Sequence, residues 1–424
     1  MKMAVQQVNR TATLSLGVFV SWMFIVYTLS YYPFITESYM PPSVRIGIEG
    51  FVLFLLVVIN LRYQYLVNVV WFIPVVLIFG CTLLLEMETF VNLISSFNKF
   101  VFFILTVELL NRNRNILNTC VKMWIQLSYF LGIAAILAFV GYATGTIPFS
   151  ASNLGQITGG VDGSYYYLHN ALLGNLSPKA LFGIDIARAS GFMYEGGMLG
   201  ILFSLNILVA QDWIDDPKKR KQFVLLNFIA GTATLSTTFF LFFGIYLLVK
   251  QTLGEQKLKI GVRILAIFFV GVLFIVIILV SGYLEKTSGS QRLIRMALYF
   301  SVIENNTWLA FMFGNGVNIT LDKFEIGIDS GWIAILVERG AIMLAFIVSL
   351  YAIHAKHNRW LLFFIFYVNF AFNMFWAPVY LLVIAMSHAS FLHKRTGAVR
   401  FHASGLTLHP TSLLKNLVVR RETH

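Results

Sequence analysis

The stretch Phe51-Val-Leu-Phe-Leu-Leu-Val-Val-Ile-Asn-Leu-Arg62 decides the fold. It completes an apolar run over residues 45–61 that one arginine stops. A run of about 20 such residues lets an α-helix cross the hydrocarbon of a bilayer with its backbone polar groups paired internally. Similar runs recur on either side, at 12–32, 65–85, 90–110, 122–143, 191–211, 222–232, 234–249, 262–282, 334–354, 359–376 and 378–392. The chain therefore reads as an all-α, polytopic integral membrane bundle of about 12 transmembrane helices. A single transmembrane domain covers residues 1–393, and a basic cytoplasmic tail follows over 394–424.

Composition agrees with this reading. The 424 residues are 58% hydrophobic and only 12% charged, where a soluble domain carries about 25% charged residues. No polar stretch is long enough to hold a separate soluble core. Cys81 and Cys120 lie in or beside apolar runs and form neither a disulfide framework nor a metal site. The first run has no cleavage pattern of small residues and is expected to be retained.

The formal net charge of +12 is explained by topology rather than by nucleic acid. With residue 1 in the cytoplasm, 22 of the 31 Lys and Arg fall on the cytoplasmic side and 8 on the other, with Lys99 inside a helix. That is the positive-inside asymmetry, and it puts both termini in the cytoplasm. It also requires a break in the segment 222–249. Gly231-Thr-Ala-Thr-Leu-Ser-Thr-Thr238 supplies one, giving two short helices joined at a turn that faces a cavity. A plain tilted helix whose Ser and Thr bond back to its own carbonyls is the other reading.

Two long connections, about 144–190 and 283–333, fall on the outer side and hold the charges that need explaining. In Arg188-Ala-Ser-Gly-Phe-Met-Tyr-Glu195 the spacing of seven sets both charged groups on one helical face, roughly 10 Å apart. Glu195 then lies just inside the membrane, where an ionisable group is costly and a candidate for function. An interfacial salt bridge that only orients the helix is the plainer alternative. Arg292, Arg295 and Tyr299 fall at i, i+3 and i+7 and form one polar stripe on an apolar helix. An arginine fork suits a diphosphate, and headgroup anchoring is the competing role. Asp329, in Ile328-Asp-Ser-Gly331, is either a general base or a helix N-cap. Glu338 and Arg339 follow in Val337-Glu-Arg-Gly340. Lys99 pairs with a carboxylate such as Glu49 or reaches the cavity. The outer connections carry no Asp-x-Asp pair, and the chain has no phosphate-binding P-loop and no Gly-x-Ser-x-Gly.

Three of these stretches resemble the bacterial Wzy-type polysaccharide polymerases and the related O-antigen ligases. They are Arg188 to Glu195, Leu235-Ser-Thr-Thr238, and the run from Gln291-Arg292 through Gly314-Asn-Gly316 to Asp329-Ser-Gly-Trp and Val337-Glu-Arg-Gly340. The likeness covers roughly residues 180 to 355. It implies a GT-C-like membrane glycosyltransferase with two large periplasmic loops in the bacterial inner membrane, working in O-antigen and lipopolysaccharide biosynthesis. The implied reaction moves a growing glycan from undecaprenyl diphosphate to a lipid-linked repeat unit, with no nucleotide sugar, cofactor or metal.

Under that resemblance Arg188, Arg292 and Arg295 bind the diphosphate. Asp329 or Glu195 acts on the acceptor hydroxyl. Tyr194, Tyr299, Glu338 and Arg339 support them, and Tyr165 to Tyr167 stack on sugar faces. Implied partners are the undecaprenyl-diphosphate-linked oligosaccharide, membrane lipids, a chain-length regulator and a flippase. Asp329 stands where the ligases typically carry a His, which favours polymerase over transfer of glycan to a lipid A core. A lipid-linked sugar transporter or flippase is the rival of another class. Its ionisable residues would gather near the midplane of two repeats, whereas here they gather at the outer rim.

Overall fold

The computed structural model describes residues 2–31, 34, 40–63, 73, 76, 79–80, 90–153, 166–170, 174–181, 184–193, 195–253, 297–304, 307–316, 330–370 and 372–405. It is 81% helical, with twelve α-helices among the described residues. In chain order these are α1 (Lys2–Leu29), α2 (Pro42–Arg62), α3 (Phe90–Arg112), α4 (Arg114–Ala143), α5 (Gly196–Trp213), α6 (Pro217–Ala233), α7 (Thr237–Leu253), α8 (Trp308–Phe313), α9 (Gly331–Ala334), α10 (Gly340–Ala355), α11 (Arg359–Val368) and α12 (Pro378–Gly405). A π-helical turn, Ile335–Arg339, joins α9 to α10.

Among the described residues three helices are long and apolar enough to cross a membrane: Pro42–Arg62, Arg114–Ala143 and Gly331–Ala355. They suggest a multi-pass membrane protein. The side chains agree on α2, where Val52 and Leu56 are buried while Phe54 is 64% and Leu61 69% exposed. Large apolar groups facing outward are costly in water and matched in hydrocarbon. The runs at 65–85 and 262–282 lie wholly or mostly outside the described residues.

Polar side chains set the helix starts. Asn113 accepts from Ile116 N at the head of α4 and Asn358 accepts from Leu361 N at the head of α11. Asp216 accepts from Lys218 N and Lys219 N ahead of Pro217 at α6. Between helices, a buried amide network holds α4, α5 and α6 together. Trp124 Nε1 donates to Asn206 Oδ1 at 3.1 Å, and Asn206 Nδ2 donates to Ser128 Oγ at 3.1 Å and Asn227 Oδ1 at 2.9 Å. Lys99 lies 5.6 Å from the ring centre of Tyr31, whose hydroxyl donates to Glu49 at 2.9 Å. The cation and the carboxylate thus share one tyrosine.

The all-α expectation is corrected at one place. The loop expected over 144–190 forms, with Gly191, an antiparallel sheet in the order β1-β2-β3-β4, with β1 Ser150–Asn153, β2 Tyr166–Asn170, β3 Gly174–Leu181 and β4 Ile184–Gly191. Ala187 and Ala189 on β4 are buried while Arg188 between them is partly exposed. Ser190, on the same face as Arg188, is buried as well, so Arg188 is the accessible position of this stretch.

Candidate functional site

Arg188 and Glu195 meet, but not on one helical face as the seven-residue spacing predicts. Arg188 is on β4, directly across from Ser177 on β3. The chain leaves β4 through Gly191 at φ +57, and Glu195 is the extended N-cap residue of α5. The turn between them lets Arg188 Nη2 approach Glu195 Oε2 to 3.7 Å. Strand register supplies a third member that sequence spacing misses. Ser177 Oγ accepts from Arg188 Nε at 3.2 Å and from Gly196 N at 3.3 Å. The serine therefore fixes the guanidinium at one edge and satisfies an open N–H at the start of α5. Arg188 is 14% exposed and Glu195 33% exposed, so the carboxylate is the more accessible partner.

The start of α5 is pressed against two backbone breaks. A Cβ on Gly196 would lie 2.8 Å from Ala189 O and 2.9 Å from Thr234 O, and one on Gly200 would lie 2.8 Å from Ser236 Cβ. Only glycine permits this approach. Thr234-Leu-Ser236 is the interruption between α6 and α7, so the segment 222–249 is two helices. Leu235 has φ +45, a left-handed conformation unfavourable for a branched side chain. Thr234 Oγ1 donates to Gly231 O at 2.6 Å, and Ser236 Oγ accepts from Phe239 N at 3.3 Å, closing one helix and opening the next.

The second break joins α11 to α12. Phe372 sits over Gly197, where a Cβ would be 3.1 Å from its ring. Phe372 O also accepts from Gly331 N at 3.3 Å, and Asn369 O accepts from Ser330 Oγ at 3.2 Å. Residues 330–332 are thereby tied to the same corner as Arg188 and Glu195. Ser330 is the N-cap residue of α9.

Gly314-Asn-Gly316 packs on Val337-Glu-Arg-Gly340. Asn315 N and Nδ2 both donate to Val337 O, at 3.0 and 2.9 Å, and Gly316 N donates to Glu338 O at 3.1 Å. A π-helical turn shifts the helix register and leaves carbonyls to be paired, and this loop pairs them. Gly314 at φ +93 and Gly340 at φ +81 face each other; a Cβ on either would overlap the other strand's backbone. Arg339 is buried, 5.7 Å from the ring centre of Trp376 in the second break. Tyr299 is buried and Glu338 partly exposed. Arg292, Arg295, Asp329, Tyr194 and Tyr165 lie outside the described residues. Among the described residues no three His, Cys, Asp or Glu are grouped to hold a metal ion.

The far end of α5 carries a cluster that sequence reading passed over. Asp212 Oδ2 accepts from Ser387 Oγ at 2.6 Å and from Asn358 Nδ2 at 3.2 Å, with His357 Nε2 at 3.6 Å and His357 to Ser387 at 3.0 Å. Its members come from α5, the α10–α11 turn and α12, and no local pattern announces them. No family model, no curated protein and no solved structure matches the chain.

Proposed function

We propose that the chain is a Wzy-type polysaccharide polymerase of the bacterial inner membrane. It would move a growing glycan from undecaprenyl diphosphate to a lipid-linked repeat unit on the periplasmic side. The observation that carries this reading is the partly exposed arginine–carboxylate pair at the head of α5. Arg188 Nε is held by Ser177, and its Nη2 faces the partly exposed Glu195 carboxylate at 3.7 Å. At 3.7 Å the pair is longer than a direct hydrogen bond, so a diphosphate can compete with Glu195 for the guanidinium. The fork is then already oriented for two charge-assisted hydrogen bonds.

In the proposed reaction the acceptor hydroxyl attacks the anomeric carbon of the donor glycan. Its C–O bond forms as the bond to the diphosphate breaks. The hydroxyl proton passes to Asp329 or to the displaced Glu195, and the diphosphate leaves with its charge held by Arg188, Arg292 and Arg295. Arg339 beside Trp376 and the Gly314–Gly316 loop would keep the 330–340 segment in place. No nucleotide, cofactor or metal enters these steps. Asp329, in place of the ligases' His, favours this reading over O-antigen ligase. The charged groups at the rim of the helices favour it over a transporter of lipid-linked sugar.

The test is the surface-glycan ladder on a gel. Deleting the gene should leave cells with a single repeat unit on the lipid core. A core without any repeat would instead point to ligase or flippase. Arg188→Ala and Arg292→Ala should each abolish long chains, and intact ladders would sink the arginine clamp. Purified protein should extend lipid-linked repeats in the presence of a chelator; strict Mg²⁺ dependence would count against the metal-free scheme.

A further inference from the structure

A groove of about 480 Å³ lies between α5, α6, α7 and the start of α11, away from the Arg188 corner. Its α6 wall is one helical stripe: Pro217, Arg220 and Lys221, Val224, then Phe228. These positions recur at three- and four-residue intervals and so share a face. The stripe changes character along its length, cationic in the first turns and apolar beyond. Phe243 of α7 continues the apolar floor. Tyr246 and Trp360, in edge contact at 4.7 Å, line the same groove, and such rings favour the level of lipid headgroups.

The acids of this corner are engaged elsewhere. Asp212 is bonded to Ser387 and Asn358, Asp215 pairs with Lys394 at 2.7 Å, and Asp216 caps α6. Among the described residues none forms an ion pair with Arg220 or Lys221. A volume of this size is in the range of sites that hold a small molecule, about 300–1,000 Å³. A cationic mouth above an apolar floor, in a protein with membrane-crossing helices, matches an amphiphile with a negative head.

We infer that this groove binds an anionic glycerophospholipid. Its phosphodiester would sit between Arg220 and Lys221, and one acyl chain would run along Val224, Phe228 and Phe243. The site is separate from the proposed glycan chemistry and stands whether or not that proposal holds.

Purified full-length protein, washed in mild detergent, should retain dioleoyl phosphatidylglycerol over dioleoyl phosphatidylethanolamine when bound lipid is counted by mass spectrometry. Arg220→Ala with Lys221→Ala should lower retained phosphatidylglycerol about tenfold or more, the scale set by two interfacial cations. Lys218→Ala with Lys219→Ala removes the same charge from the same turn outside the groove and should leave retention within about twofold, the scale of a general surface field. Equal losses in the two double variants would overturn the site, as would equal retention of the two lipids. Glycerol phosphate matching the thermal shift given by phosphatidylglycerol would overturn the acyl-chain contact and with it the lipid assignment.

Discussion

The two ends of α5 hold their charges in opposite ways. At the Asp212 end the carboxylate receives a serine at 2.6 Å and an asparagine at 3.2 Å, with His357 only 3% exposed beside it. At the Glu195 end the carboxylate stands 3.7 Å from its arginine and is 33% exposed. The first arrangement joins three elements distant in sequence. The second is anchored by Ser177 and holds its carboxylate at longer range. A buried carboxylate with its partners in place locks helices together, because leaving those partners unpaired is expensive. An ion pair with slack contributes little to stability and is free to exchange its partner. Stability and chemistry are thus expected to separate along one helix.

Substitutions can break that contrast. Asp212→Ala should destabilise most, by about 3 kcal/mol, since it removes the buried acceptor shared by Ser387 and Asn358. A melting temperature in detergent equal to wild type would show that the cluster is not a lock. Gly196→Ala is expected to follow, at about 2 kcal/mol, because its new methyl overlaps Ala189 O and Thr234 O. It should lower melting and shorten glycan chains together. Ser177→Ala removes the anchor of Arg188 and should cost about 1 kcal/mol, with a larger fall in chain length than in melting. Arg188→Ala sharpens the comparison furthest. Its stability loss should stay below that of Asp212→Ala, while long glycan disappears. A large drop in melting for Arg188→Ala would assign that arginine to structure.

How much of this was legible in the sequence follows from how local each signal is. The apolar run ending at Arg62 carries its own length and needs no partner to be read. The break at 234–236 was visible because small and hydroxylated residues interrupt an apolar pattern, and those hydroxyls are the groups that close α6 and open α7. Arg188 and Glu195 were rightly associated but for the wrong geometry. A spacing of seven fits two helical turns, and it also fits a strand that turns back at a left-handed glycine. Ile184-Asp-Ile-Ala-Arg-Ala-Ser190 keeps no single period-two phase, its apolar positions changing face at Ile186-Ala187, so the strand had no clean signal in the sequence. Ser177 became a partner only through strand pairing, and Phe372 only through packing over Gly197. Asp212 and Ser387 are separated by 175 residues, and no period or motif spans that distance.

That separation also sets an order in time. Ribosomes deliver the chain from its N-terminus, so β3, β4 and the head of α5 are made together. Ser177, Arg188 and Glu195 can find one another as soon as they emerge. Asp212 must wait for Asn358 and then for Ser387, which leaves the ribosome 175 residues later, or about 10–35 s at ordinary synthesis rates. Until α12 arrives, the far end of α5 carries a carboxylate lacking its serine. A chain cut short before α12 therefore keeps the partners of its arginine corner but leaves Asp212 with Asn358 and without Ser387.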